Sequence, residues 1–285
     1  MITFSKLGEL GRLGNQLFQY AAIRSLGLKN NFEVKLPDIK KMQWHGQKCL
    51  LDQFNIPNDL FADFDLKQEH KYFEKDWRKF DESFFEISDN TNIEGFFQSI
   101  RYFQEFQNQI KNELTPKKEL ILNNSQYLDE FKKENAGFEI VSIHIRRGDN
   151  LTNNQHGLID AFKTNGIFDT YIKKAISCFE SKKVKFLIFS GGARFDEKNQ
   201  EDIDWCKNYF CGDQFLFSEG QNQLNDFTRI MLCDHNILSH ASSFGWWAAF
   251  LNPNPQKIVV APEYYHPDEP NLVREYFYPN EYILK

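Results

Sequence analysis

Val141-Ser142-Ile143-His144-Ile145-Arg146-Arg147-Gly148-Asp149 is the stretch around which this chain reads. Apolar Val141, Ile143 and Ile145 alternate with Ser142 and His144, the period-two pattern of a β-strand entering a core. The strand ends in two arginines, a glycine and an aspartate, and a lysine-rich, helix-like segment precedes it. In an open α/β sheet, ligands sit outside the carboxyl ends of the strands, where these arginines fall. A guanidinium is a rigid fork of donors that stays charged at any working pH, so the pair beside His144 suits an anionic, phosphate-bearing ligand. A strand end whose arginines only pair with local carboxylates would carry the same residues, so the rest of the chain has to decide.

Downstream, helices and strands alternate. Phe168 to Ser181 reads as a helix, Lys183 to Phe189 as a buried strand, Glu197 to Tyr209 as a helix and Phe215 to Phe217 as extended. Leu224 to Cys233 reads as a helix, Asn236 to Ser239 as a strand, Phe244 to Leu251 as a helix and Lys257 to Ala261 as the last strand, stopped by Pro262. Such alternation predicts a parallel sheet covered on both faces. Three polar turns then open on one sheet edge: Arg146 to Asp149, Ser190 to Gly192 and Ser239 to Ser243. Ser242 and Ser243 stand where a helix begins and would serve as N-caps in any protein. With two arginines on the same rim, free helix-end N–H groups and hydroxyls together make an anion receptor. Residues 150 to 166 form a long polar loop of the kind that is often functional.

The first half is less regular. Ile2 to Leu7 reads as a strand, and Gly8, Gly11 and Gly14 punctuate the loop before an amphipathic helix carrying Leu17, Ala21 and Leu28 on one face. Glycines let the backbone approach a ligand closely, and Arg12, Asn15 and Gln16 would stand at the mouth of that helix. The spacing is not GxGxxG, and an ordinary tight turn with a capping Asn fits it too. Phe32 to Leu36 reads as a second strand, Leu60 to Phe73 as containing helical fragments and Asn92 to Phe97 as a strand. Gln98 to Leu114 and Lys117 to Glu134 read as helices, the second with a solvated lysine face.

The bulk numbers narrow the function. A net charge of -6 argues against general nucleic-acid binding but leaves room for a local basic site. The five cysteines are odd in number and scattered, with no CxxC pair, which points away from zinc and disulfides and towards a reducing cytoplasm. The N-terminus has no secretory h-region, and no run of about 18 apolar residues occurs, so no transmembrane segment is expected. Association with a membrane surface stays open. The 29 phenylalanines predict aromatic-rich cores or an aromatic cleft.

Four ordered blocks resemble the bacterial α1,2-fucosyltransferases: Gly11-Arg12-Leu13-Gly14-Asn15-Gln16, Gly95-Phe96-Phe97-Gln98-Ser99-Ile100-Arg101-Tyr102-Phe103, His144 to Asp149, and Ser242-Ser243-Phe244-Gly245-Trp246-Trp247. The resemblance spans nearly the whole chain. It implies two Rossmann-like α/β domains facing across a cleft, the GT-B architecture. Residues 1–130 would form the acceptor-side domain and residues 131–285 the GDP-fucose-binding domain, with the tail packing back on the first. It implies transfer of L-fucose from GDP-fucose to O2 of a galactose-containing oligosaccharide or glycan acceptor, with inversion, no cofactor and no metal.

The resemblance also implies roles. Arg146 would contact the diphosphate and stabilise the leaving GDP, Arg147 would hold the strand end or the nucleotide, and His144 would lie against the nucleotide. Arg12, Gly14, Asn15 and Gln16 would reach the fucosyl-phosphate region, with Asn15 in the catalytic set. Ser190, Ser242, Ser243 and Phe244 would complete the donor site. Asp149 is the first candidate for the base, with a role in orienting the arginines as the competing reading and Glu9 as another carboxylate. Ser190-Gly191-Gly192 departs from the family's Ser-Asp-Asp, and His240-Ala241-Ser242 from Ala-Asn-Ser. Trp246 and Trp247 read as core. Two rivals are kept: an inverting GT-B glycosyltransferase of different donor or linkage, and a non-catalytic sugar- or nucleotide-binding module.

Overall fold

The computed structural model describes residues 1–62, 68–77, 79–148, 151, 159, 163, 166–191, 196–264, 266 and 277–285. They form two compact units. The first is Met1–Lys117 with residues 277–279; the second runs from Lys118 and includes Asn280–Lys285. The expected division after residue 130 would cut a helix that the second unit takes whole.

In the first unit, strand β1 (Ile2–Thr3) leads through the glycine loop into helix α1 (Leu13–Asn30). Then come β2 (Val34–Lys35), the hairpin of β3 (Gln43–Trp44) and β4 (Gln47–Lys48), β5 (His70–Phe73), β6 (Thr91–Glu94) and helix α2 (Gln107–Glu113). The main sheet is parallel, in the order β2-β1-β6-β5. Residues 70–73 are therefore a strand, not part of a helix. Their contacts with β6 lie about twenty residues on, and a local propensity reading does not see them. The expected helix from Gln98 breaks into short 3-10 turns and starts as α-helix only at Gln107.

α1 is buried almost all round from Leu13 to Gly27, because the sheet covers one side and α2 and several 3-10 turns cover the others. Gly27 allows this approach: a Cβ there would stand 2.3 Å from Val34 Cγ2. Asn31 ends the helix in the left-handed conformation, its N–H bonded to Gly27 O. A buried polar knot ties α1 to α2: Tyr20 donates to Glu113 at 2.6 Å and Arg24 pairs with the same carboxylate at 2.9 Å. Phe4, Tyr72, Phe84, Phe97 and Tyr102 pack edge-on, tilted or stacked, which accounts for part of the phenylalanine excess.

The second unit begins with α3 (Lys118–Glu134), followed by β7 (Glu139–Arg146), α4 (Ile167–Ser177), β8 (Val184–Gly191), α5 (Asp196–Tyr209) and β9 (Phe215–Phe217). It continues with α6 (Gln223–Leu232), β10 (His235–Ile237), α7 (Ser243–Leu251), β11 (Val259–Ala261) and β12 (Ile283–Leu284). The strands make one parallel sheet in the order β12-β11-β10-β7-β8-β9. The last strand is thus β12, not the one ended by Pro262. Counted within the unit, this is the 3-2-1-4-5-6 doubly wound order, with its switch point between β7 and β10.

β7 is buried on both faces along nearly its whole length, since it is central. Val141, Ile143 and Ile145 join Phe168, Ile172, Ile188, Ile237 and Val260 in the core. The polar residues between them are accommodated: Ser142 Oγ accepts from Asn236 Nδ2 at 2.8 Å. Trp246 and Trp247 are fully buried core residues. Among the described residues, no helix is long and apolar enough to cross a membrane.

Candidate active site

The carboxyl edge of the second unit's sheet carries the expected residues His144, Arg146, Arg147, Ser190, Ser242, Ser243 and Phe244. The backbone N–H of Arg146, at the end of β7, donates to Ser239 Oγ, just beyond β10, at 2.9 Å. This bond ties together the two strand ends between which a doubly wound sheet leaves its ligand crevice. Ser190, at the end of β8, donates its hydroxyl to Ile145 O at 2.9 Å, so that hydroxyl is spent on the neighbouring strand.

The two arginines have different surroundings. Arg147 Nε lies 3.1 Å from Asp202 Oδ1 on α5, both side chains largely buried. The same guanidinium stacks on Trp205, 3.9 Å from the ring centroid. Asp202 Oδ2 also accepts the Gly148 N–H at 2.7 Å. Burial pushes the Asp202 carboxyl up, and the Gly148 and Arg147 contacts only partly offset it. Arg147 therefore braces the strand end, one of the alternatives open to it, and Asp202 is its carboxylate partner, which no motif announced.

His144 is 8% exposed and its Nδ1 lies 3.2 Å from Ser242 Oγ. That oxygen also accepts the Gly245 N–H and so caps α7. The hydroxyl thus serves the helix end and the imidazole at once. Burial first, and the neighbouring Arg146 charge second, hold the imidazole well below its usual range, at about 3. His144 is thus neutral at working pH. Gly245 is needed beside it, since a Cβ there would stand 2.8 Å from Nδ1. Phe244 closes on the ring at 5.4 Å and packs on Phe227 at 5.3 Å. Ser243 opens α7 and is buried.

Asp226, in the first turn of α6, is a further carboxylate on this rim. It accepts from Ser218 at 2.8 Å, and burial pushes its pKa up to about 6. An acidic residue in a first helical turn reads as a dipole complement, so sequence alone passes over it. Asp149 and Gly192 lie outside the described residues.

The first unit gathers Arg12, Gly14, Asn15 and Gln16 at the start of α1. Arg12 is the N-cap and offers its carbonyl to the N–H groups of Asn15 and Gln16. Gln16 is buried; its amide donates to Gly11 O at 3.1 Å and its oxygen receives Leu50 N–H at 3.5 Å. It holds the glycine loop in place, a role sequence reasoning did not assign. Asn15 Oδ1 accepts from Gln98 Nε2 at 2.8 Å. Gly11, at φ +87°, leaves room for Asn15: a Cβ would fall 2.3 Å from Asn15 Nδ2.

A family model described as Glycosyl transferase family 11 matches residues 6–283. An alpha-1,2-colitosyltransferase of Escherichia coli is 28% identical, the match covering 88% of this chain and 89% of that protein. The galactoside alpha-(1,2)-fucosyltransferase 1 of Sus scrofa is 24% identical over 85% of this chain and 63% of its own length. A solved structure of NodZ alpha-1,6-fucosyltransferase soaked with GDP-fucose superposes with a TM-score of 0.49 at 14% identity, covering 88% of this chain and 92% of that one.

Proposed function

The chain belongs to glycosyl transferase family 11, and on that premise we propose that it transfers L-fucose from GDP-fucose to O2 of a galactose-type residue, with inversion. The acceptor O2 attacks the anomeric carbon as the bond to the β-phosphate oxygen breaks. GDP departs with that electron pair, and the O2 proton passes to a base. Negative charge develops on the β-phosphate, and a fixed cation stabilises it without reorganising at the moment of reaction.

The observation that carries this reading is the bond from Arg146 N–H to Ser239 Oγ, which anchors an arginine at the sheet's switch point. The neutral His144 ring and the N-terminus of α7 stand on the same rim. Ser242, Ser243 and Phe244 take donor-binding roles in this reading, while Arg147 acts through the backbone it braces. Arg12, Gly14 and Asn15 remain proposed donor residues of the first unit, and Asp149 the proposed base. An arginine mechanism needs no metal, and a cytoplasmic setting fits the scattered cysteines.

One observation favours a second donor. The colitosyltransferase relative argues for a nucleotide sugar carrying colitose in place of fucose. The test incubates the purified chain with each donor and a terminal galactoside, with and without excess EDTA, and follows GDP release and the linkage formed. We expect an α1,2-linked product with full activity in EDTA. Absence of GDP release with every galactoside would overturn the transferase reading. Loss in EDTA restored by Mn²⁺ would overturn the metal-free mechanism.

A further inference from the structure

Glu74 follows β5 directly, opposite the point where β6 ends, and it is not an ordinary strand-end carboxylate. Its Oε2 accepts the Phe96 N–H at 2.7 Å and its Oε1 the Phe97 N–H at 3.0 Å. Both oxygens are thereby committed to one turn of backbone. Phe97 is held at φ 51°, the left-handed region that a bulky residue avoids, and its ring is fully buried among Phe4, Tyr72, Phe84 and Tyr102. Gly95 completes the fit, because a Cβ there would stand 2.4 Å from Glu74 Cβ. Gln19 of α1 holds the Gly95 carbonyl from the other side at 3.1 Å. The residue that leaves this turn is Gln98, and its amide donates to Asn15 Oδ1.

We propose that Glu74 is a positioning residue for the transfer reaction: its carboxylate fixes the Phe96–Phe97 turn so that Gln98 holds Asn15 in its working orientation. This rests on the reading of Asn15 as a donor-site residue. A strained left-handed residue persists only where its surroundings over-determine it, and here a carboxylate and an aromatic cluster do so. Two N–H groups aimed at two separate oxygens favour the ionised form, in which both oxygens are full acceptors. A proton on either oxygen would make that oxygen a weaker acceptor and loosen its hold on the turn.

Burial, with a smaller contribution from neighbouring charge, allows that proton to arrive near neutrality. Asp76, two residues on, adds negative charge, while the phenols of Tyr72 on β5 and Tyr102 in the 100–102 turn are bonded to Asp81. Lys75 is paired with Asp81 at 2.9 Å, and Glu94 on β6 with Lys6 at 2.8 Å. Burial pushes Glu74 up to about 7, against the pull of its two N–H bonds. A carboxyl raised in the folded state binds its proton more tightly there than in the unfolded chain. Stability is therefore lost as pH rises from about 4.3 towards 7, while the ionised, working turn is gained.

The experiment compares wild type with Glu74→Gln, which keeps the shape and removes the second acceptor. Backbone hydrogen exchange over residues 95–98, corrected for intrinsic rates, should show wild-type protection at pH 8 that falls by pH 6, and low protection at both pH values in the variant. In the transfer assay the variant should keep about a tenth or less of the wild-type kcat at pH 8 and lose the acid limb near pH 7. Its melting temperature at pH 8 should be equal or higher. Gln98→Ala should lower kcat similarly, and the double variant should be no worse than either single one. Wild-type-like exchange in Glu74→Gln, or an unchanged kcat and acid limb, overturns the proposal. If Glu74→Gln does not fold, Gln98→Ala alone decides: unchanged kcat overturns the proposal. The exchange arm needs no turnover, so a failure of the fucose-transfer reading is seen separately, as absent activity in wild type.

Discussion

Arg147 Nε stands 3.1 Å from Asp202 Oδ1, with the guanidinium laid over Trp205, and this arrangement separates the work of two adjacent arginines. A side chain committed to a buried carboxylate and an indole face is placed to hold β7's end. Arg147→Lys would lose the stacked plane and the directed Nε–H, so it is not conservative here. Asp202→Ala should destabilise the chain more, on the order of 3 kcal/mol, because it takes a carboxylate from a largely buried cation and an acceptor from the Gly148 N–H. Urea titrations of Arg147→Lys, Asp202→Ala and the double variant check this. The double variant should be more stable than the sum of the two losses predicts.

Arg146 is the residue proposed for the chemistry. Its backbone is anchored through Ser239, so Arg146→Ala should leave the melting temperature within a few degrees of wild type. Transfer should fall by about 10²–10³, the loss typical of one preorganised donor to a developing charge. Retention of most of the wild-type kcat would remove Arg146 from the mechanism.

His144 has a pH signature in stability. Its folded pKa of about 3 lies below the unfolded value of about 6.5. Between the two, the unfolded chain binds the proton and the folded chain does not. Stability is therefore full above about 6.5 and declines as pH falls towards 3. His144→Gln should flatten that decline in a series of urea midpoints from pH 7 to 4. The kcat profile above pH 5 should show no inflection belonging to His144.

Gly11 tests the glycine loop. Gly11→Ala would place an L side chain at φ +87° and drive its Cβ into the Asn15 amide. We expect a loss of roughly 1–2 kcal/mol in stability from the backbone alone. The Asn15–Gln98 bond should be disturbed as well. A lowered kcat/KM for donor, larger than the stability loss explains at a temperature where the chain is folded, is the expected result.

Ala241 points the other way. It sits at φ 48°, just before the Ser242 cap, where the resembling family more usually carries asparagine. Asparagine tolerates this region better than alanine does. Ala241→Asn should raise stability by about 0.5–1 kcal/mol, read as a higher melting temperature with activity unchanged.

The sequence by itself determined the features that depend on near neighbours. The alternation in Val141 to Ile145, the helix–strand succession after it and the Ser242 cap are written in spacings of two to four residues, and all appear in the structure. The same spacing put Arg146 and the Ser239–Ser243 turn on one edge, because parallel strands all end on the same side. Tertiary structure alone decided which arginine is held away, since Asp202 is 55 residues from Arg147. It made residues 70–73 a strand and added β12, both through pairing with distant chain. It joined Gln98 to Asn15 across 83 residues and set Glu74 beneath Phe96 and Phe97. Local propensities act over a few residues. The burial and partners that give a polar side chain its charge and task come from parts of the chain that only folding brings together.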